Sequence, residues 1–149
     1  MKRLLFFAVF FPTYLFGQII VDNMEYNNKN DWVVVIRNID TVGYFVSFEL
    51  ETSRDSLWYL IDENVLADSF SKMKTWIELK PSMVETLHIN IDKILKKVSA
   101  EIPDYLCLKH TLSQNNEEKY RVKVVYTPAL DKNAQVLYSP VIHHGAIHN

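Results

Sequence analysis

The sequence predicts an all-β, immunoglobulin-like antiparallel β-sandwich of about seven or eight strands with one short helix. Three observations support this prediction. Apolar and polar residues alternate along most of the chain, which is typical of strands buried on one face. Turn-like segments rich in Asn, Asp, Gly, Pro or Ser separate the alternating stretches at short intervals. A length of 149 residues with 48% hydrophobic content is sufficient for the core of one domain.

The first 17 residues have the pattern of a secretory signal peptide. Two basic residues precede an apolar run at 4–16, and Gly17 follows as a small residue. The run is shorter than the roughly 20 apolar residues that span a bilayer, and Pro12 would interrupt a membrane helix. We therefore expect cleavage after Gly17, a single mature domain at 18–149 without a stable membrane span, and a secreted or periplasmic location. A retained membrane anchor is the alternative.

Several segments of the mature domain are predicted as strands. In GYFVSFELE, Tyr44, Val46 and Phe48 fall on one face. Ser47 and Glu49 fall on the other. The segment DWVVVIRN has an unbroken apolar run, as expected for a strand that is covered on both faces or pairs centrally. In chain order the segments are IIVDNMEY (19–26), DWVVVIRN (31–38), GYFVSFELE (43–51), SLWYLID (56–62), KTWIELK (74–80), ETLHINID (85–92), YLCLKHTL (105–112) and KYRVKVVYT (119–127).

The segment IDKILKKVSAEI at 91–102 is predicted as a short helix that crosses between the two sheets. Its apolar residues recur at helical spacing, and its lysines fall on the opposite side. The inward residues are Ile91, Ile94, Leu95 and Val98, and the outward ones are Lys93, Lys96 and Lys97. A second segment, NVLADSFSKMK at 64–74, fits either one helical turn or a loop.

Composition and charge exclude several classes of function. The chain has 18 acidic and 16 basic residues and a formal net charge of -2, so it lacks the basic excess of a nucleic-acid-binding protein. It has three glycines and neither of the glycine-rich phosphate-binding patterns. The single cysteine, Cys107, cannot form an intramolecular disulfide and is interpreted as a buried small hydrophobic residue. His110 is three positions away, which on a strand is the opposite face, so the sequence does not indicate a Cys–His pair.

The C-terminal histidines are the first candidate for a metal site. His143, His144 and His148 could form a weak, exposed site, but Gly145 and the chain end disfavour a helix that would place them on one face. Adjacent residues of a strand point apart, so we favour a solvated terminus. His88 and Asp92 would lie roughly 13 Å apart on a strand, too far to bind one metal ion.

Acidic residues and tryptophans are the remaining candidates. Glu49, Glu51, Asp55, Asp62 and Glu63 surround one predicted hairpin. Paired carboxylates could act as acid and base, but we favour charges on the outer face of a solvated sheet. Trp32, Trp58 and Trp76 could form a carbohydrate-stacking platform. Core packing is favoured because Trp58 and Trp76 lie within apolar strands.

Three segments occur in the order VVVIRNIDTVGYFVSFEL, WIELKPSMVETLHINI and YRVKVVYTPALDKNAQVLYSP, followed by His-His-Gly. This order resembles the non-catalytic β-sandwich region that precedes the peptidase domain of lysostaphin-type bacterial zinc endopeptidases. In that family a Y-x-L-P-F-x-x-G stretch leads into the catalytic domain. Tyr138 and Gly145 keep its spacing, whereas Pro140 stands one position early and the leucine is missing. The resemblance covers residues 31–145.

The resemblance implies the scaffold without the enzyme. In that family the metal ligands are an H-x-x-x-D and a later H-x-H in the peptidase domain. His88 and Asp92 match the first pattern only by letters, and the chain has no H-x-H. The same order of segments resembles, more loosely, other immunoglobulin-like bacterial envelope domains.

We therefore expect an exported, non-enzymatic module that binds or supports a protein partner in the bacterial cell envelope. A free strand edge would accept the partner by β-augmentation. No catalytic or cofactor-binding residue and no cofactor are predicted. Two alternatives remain: a stand-alone remnant of a zinc peptidase accessory domain or a small hydrolase, and a weak periplasmic metal-binding protein that uses the C-terminal histidines.

Overall fold

The structure, a computed structural model, describes residues 19–26, 31–69, 71–101, 118–130 and 133–144. Within these ranges it has nine strands and one helix, and the strands form two antiparallel sheets. The predicted all-β sandwich is therefore confirmed. The signal peptide at 1–17, the predicted strand at 105–112 with Cys107 and His110, and the histidine His148 lie outside the described residues.

The elements occur in the chain in this order: β1 (Ile19–Tyr26), β2 (Asp31–Asn38), β3 (Tyr44–Arg54), β4 (Leu57–Asp62), β5 (Ile77–Leu79), β6 (Val84–Asn90), α1 (Ile91–Glu101), β7 (Glu118–Thr127), β8 (Gln135–Tyr138) and β9 (Ile142–His144). One sheet has the order β1-β2-β6, and the other has the order β4-β3-β7-β8, with β5 on β3 and β9 on β7. The pairing of β2 with β6 in one sheet and of β3 with β7 in the other matches strands B, E, C and F of an immunoglobulin-like domain. The apolar segment DWVVVIRN is indeed a central strand, β2.

The core lies between the two sheets and follows the alternation in the sequence. Val34 and Ile36 of β2 face it from the three-stranded sheet, and Phe48 and Val122 face it from the six-stranded sheet. Phe48 is one of the largest fully buried side chains, and burial of a phenylalanine stabilises the fold by about 1.5–3 kcal/mol. The period of two therefore correctly places the apolar residues of β3 and β7 that face the core.

Helix α1 closes one end of the sandwich in the connection between β6 and β7. Asn90 caps its N-terminus, because the side-chain oxygen accepts a hydrogen bond from the backbone N–H of Lys93 at 2.8 Å. The four apolar residues predicted to face inward are buried: Ile91, Ile94, Leu95 and Val98. Lys93 and Lys96 are exposed as predicted, but the prediction for Lys97 is wrong. Its side chain is buried, because its ammonium group pairs with the buried Asp62 at 2.5 Å.

The hairpin of β3 and β4 turns at Asp55 and Ser56, which have φ angles of 50° and 66°. Two positive φ angles in a two-residue connection are characteristic of a type I′ turn, whose twist matches that of the flanking strands. The strand KTWIELK is shorter than predicted, since β5 contains only three residues. Beyond β5, the next backbone hydrogen bond to this edge of β3 comes from the loop after β4. The N–H of Val65 donates to the carbonyl of Phe48 at 3.1 Å. The described part of 64–74 is a loop with one turn.

The short strands β8 and β9 were not predicted. They share one edge of β7 and are separated by a break at Ser139. The backbone N–H of Ser139 donates to the carbonyl of Val122 at 2.8 Å, and the Ser139 hydroxyl accepts from the N–H of Val122 at 2.9 Å. The break therefore leaves the β7 backbone hydrogen-bonded.

Candidate functional site

The six-stranded sheet has one face against the core and a second face that we call the outer face. Residues directly opposite one another on paired strands share a face, so the strand register assigns its members. Glu49 lies opposite Lys123, and Glu51 lies opposite Arg121. The members of the outer face considered below are Ser47, Glu49, Glu51, Ser53, Trp58, Leu60, Arg121, Lys123, Val125, Val136 and Tyr138.

Glu49 is the centre of one charged group on the outer face. Its side chain is only 2% exposed, and its two oxygens contact two ammonium groups: Oε1 lies 2.5 Å from Nζ of Lys74, and Oε2 lies 2.7 Å from Nζ of Lys123. Burial alone would raise the pKa of the Glu49 carboxyl, but the hydrogen bonds from Lys123 and Lys74 outweigh burial and lower it. The same hydrogen bond to Glu49 raises the pKa of Lys123 against the effect of desolvation. The carboxylate is therefore held ionised between two cations.

Arg121 is the centre of a second group. Its Nε atom donates to Oε2 of Glu51 at 2.8 Å, and its Nη2 atom forms an ion pair with the same oxygen at 2.7 Å. The guanidinium carbon lies 4.2 Å from the ring centroid of Trp58 and 3.7 Å from that of Tyr138. Each cation–π contact contributes on the order of 0.5–1 kcal/mol at a partly exposed site. Because Glu51, Trp58, Arg121 and Tyr138 come from β3, β4, β7 and β8, this group connects the four strands across the sheet.

Two predictions about these residues are wrong. The acidic residues Glu49, Glu51 and Asp62 are buried and paired with cations, not solvated, whereas Asp55 is exposed as predicted. Trp58 does not pack in the core, because the register with Ser53 turns it to the outer face. The three tryptophans do not form one platform either, since Trp32 packs against the core from the other sheet.

The two described C-terminal histidines point to opposite sides of β9, as predicted, but the prediction of a solvated terminus is wrong for His144. His143 is exposed, and His144 is buried with its Nε2 atom 3.4 Å from Oδ1 of Asp92. The ring of His144 also meets that of Tyr120 edge-on at 5.8 Å. Among the described residues, no group of three or more His, Cys, Asp or Glu side chains could hold a metal ion.

The prediction that His88 and Asp92 lie on one strand is wrong. His88 lies on β6, whereas Asp92 lies in the first turn of α1 and contacts His144. A β-to-α junction at Asn90 separates the two residues, because the alternation of β6 ends where the helical spacing begins. The predicted strand at 85–92 and the predicted helix at 91–102 both contained Asp92, and the structure assigns it to the helix.

A cleft of about 590 Å³ lies between the start of α1, the end of β6 and the loop after β4. Charged groups line it, including Asp31, Asp68, His88, Lys93 and Lys96. The ion pair of Lys93 and Asp68 spans 3.5 Å and is well exposed, so it contributes about 0–1 kcal/mol. The cleft thus differs from the outer face, where the charged side chains are mutually held and partly desolvated.

No family model and no curated protein matches the chain. No helix of the described residues is long and apolar enough to cross a membrane. The outer face combines ion pairs, cation–π contacts and exposed apolar side chains on one surface.

Proposed function

We propose that this protein is an exported, non-enzymatic module that binds a protein partner in the bacterial cell envelope. The outer face of the six-stranded sheet would be its contact surface. The observation that carries the proposal is the group of Trp58, Arg121 and Tyr138, which is held in place across the sheet and flanked by exposed apolar side chains.

The composition of the outer face supports this proposal. Tryptophan, tyrosine and arginine are the residues most enriched at the energetic centres of protein interfaces. Leu60, Val136 and Tyr138 are 47%, 41% and 45% exposed, so apolar surface surrounds the fixed guanidinium group. An arginine that is already stacked and ion-paired loses little rotational freedom on binding, which reduces the entropic cost of association.

Export and the envelope are supported by the basic and apolar pattern of residues 1–17. The resemblance to the region preceding the lysostaphin-type peptidase domain supports a scaffold that acts through contact. Strand addition to a sheet edge is a second route to a partner, for which β1 and β6 are the candidates in the three-stranded sheet, because each pairs only with β2 among the described residues.

Site-specific photo-crosslinking tests the proposal. A photoreactive phenylalanine analogue would replace Val136 on the outer face or Val84 on β6, and both valines are exposed. The variants would be expressed in the source cells and irradiated, and the envelope fraction would be analysed by mass spectrometry. We expect a defined protein adduct at position 136 and none at position 84, on a chain that begins at Gln18. Absence of an adduct at position 136, or the same adducts at both positions, would contradict the proposal.

A further inference from the structure

The outer face presents its cations to solvent and hides its anions. The side chains of Lys74 and Lys123 are 35% and 25% exposed, whereas that of Glu49 between them is 2% exposed. Arg121 is likewise more exposed than its partner Glu51. Together, the two charged groups contain three cations, those of Lys74, Lys123 and Arg121, and only two carboxylates. The outer face therefore carries an excess positive charge on a protein with a formal net charge of -2.

The hydrogen-bonding capacity of the outer face shows the same imbalance. Each ammonium group has three N–H donors and no acceptor. Among the described residues, Glu49 is the only acceptor that contacts Lys74 or Lys123, and both of its oxygens are engaged. The ammonium groups of Lys74 and Lys123 therefore have N–H donors left over, whereas both oxygens of Glu49 already have partners. This surplus of donors favours a ligand that supplies carboxylate oxygens.

Glu78 is an exposed acidic residue on the same side of this sheet. Glu78 lies opposite Phe45, four positions from Glu49 along β3. Four residues of a strand span roughly 13 Å, which exceeds the screening length of about 8 Å at physiological ionic strength. Glu78 therefore does little to offset the positive charge of Lys123, which lies opposite Glu49.

Resting on the proposed function, we infer that the partner binds through an acidic segment of polypeptide with aliphatic residues among its carboxylates. The carboxylates contact the ammonium groups of Lys74 and Lys123, and the aliphatic side chains pack on Leu60, Val136 and Tyr138. A glycan fits this surface less well, because the guanidinium of Arg121 already covers one face of each aromatic ring. Nucleic acid is disfavoured by the small excess of positive charge.

Fluorescence anisotropy with two synthetic peptides tests this inference. The first peptide alternates Glu with Val, and its twin has Gln in place of every Glu. The mature protein, the variant Lys74→Gln and the control Lys93→Gln would be titrated at low and physiological salt. Lys93 is an exposed lysine of α1 that lies away from the outer face, so it controls for the loss of one positive charge.

We expect the Glu peptide to bind about tenfold more tightly than its twin, and added salt to weaken it. Lys74→Gln should weaken binding by about two- to fivefold, the range of one partly exposed ion pair, while Lys93→Gln leaves it unchanged. Equal binding of the two peptides, no binding of the Glu peptide, or equal losses in both variants would overturn the inference. The crosslinking result at position 136 is independent of these peptides, so a partner without an acidic segment would leave the proposed function standing.

Discussion

The ion pair between Lys97 and Asp62 allows a quantitative test of the fold. The side chain of Asp62 is 0% exposed and that of Lys97 is 8% exposed, and Nζ lies 2.5 Å from Oδ2. This contact is an ion pair without good hydrogen-bond geometry, so its stabilisation is mainly coulombic. The ammonium group also donates to the carbonyls of Asn64 and Ala67 at 2.9 Å and 3.0 Å. One lysine thus attaches α1 to β4 and to the loop that follows β4.

Replacing Lys97 by methionine keeps most of the side-chain volume and removes the charge. The carboxylate of Asp62 is then left buried without a cation, and breaking a buried pair in this way costs about 3–5 kcal/mol. We expect the free energy of unfolding, measured by urea denaturation, to fall by that amount. The control is Lys96→Met on the exposed side of the same helix, which should change stability by no more than about 0.5 kcal/mol.

A double substitution separates the charge from the packing. Asp62→Asn in the Lys97→Met background removes the uncompensated carboxylate and should recover about 2 kcal/mol or more. A loss for Lys97→Met that is as small as that for Lys96→Met would refute the reasoning. So would a double variant that is no more stable than Lys97→Met alone, because the cost would then come from packing.

Two further predictions concern the outer face. Arg121→Met leaves Glu51 without its cation and the rings of Trp58 and Tyr138 without their guanidinium, so the free energy of unfolding should fall by about 1–3 kcal/mol. The control is Arg37→Met, at an exposed position. Equal losses in the two variants would contradict a stabilising role for the Arg121 contacts. Because the pKa of Glu49 is lowered in the folded protein, its contribution to stability is present above the ordinary value of 4.5 and is lost as the pH falls through the folded value. Urea denaturation from pH 7 to pH 3 should therefore show a steeper loss for the wild type than for Glu49→Gln, and parallel curves would count against a lowered pKa.

The strands were predictable from the sequence because the apolar residues that face the core recur with a period of two. In β3, Tyr44, Val46 and Phe48 are all buried, as the alternation requires. The helix followed from the spacing of Ile91, Ile94, Leu95 and Val98. Strands β8 and β9 were missed because segments of four and three residues carry too few alternations to stand out from a loop.

The buried charges were not predictable from either period. Alternation assigns Glu49 to the face away from the core. Whether a side chain on that face is exposed to solvent depends on which neighbouring side chains cover it. Lys74 reaches Glu49 from the loop between β4 and β5, whereas the sequence predicted it as the first residue of the strand KTWIELK. The available signal was the complementary order of FELE and YRVKV, which places Glu49 and Glu51 opposite Lys123 and Arg121 once β3 and β7 are paired. Lys97 was missed because it lies at the border of the apolar side of the helix, one position before the buried Val98.

The broken edges of the six-stranded sheet have a consequence for solubility. The edge of β3 is shared by β4 and β5 with the backbone of Val65 between them, and the edge of β7 is shared by β8 and β9 with Ser139 between them. A second chain that approaches either side therefore meets short strands and a change of direction in place of a long row of unpaired N–H and C=O groups. Sheets with such interrupted margins resist open-ended stacking of one molecule on the next, so the domain is protected against fibril growth along the sheet that carries its proposed contact surface.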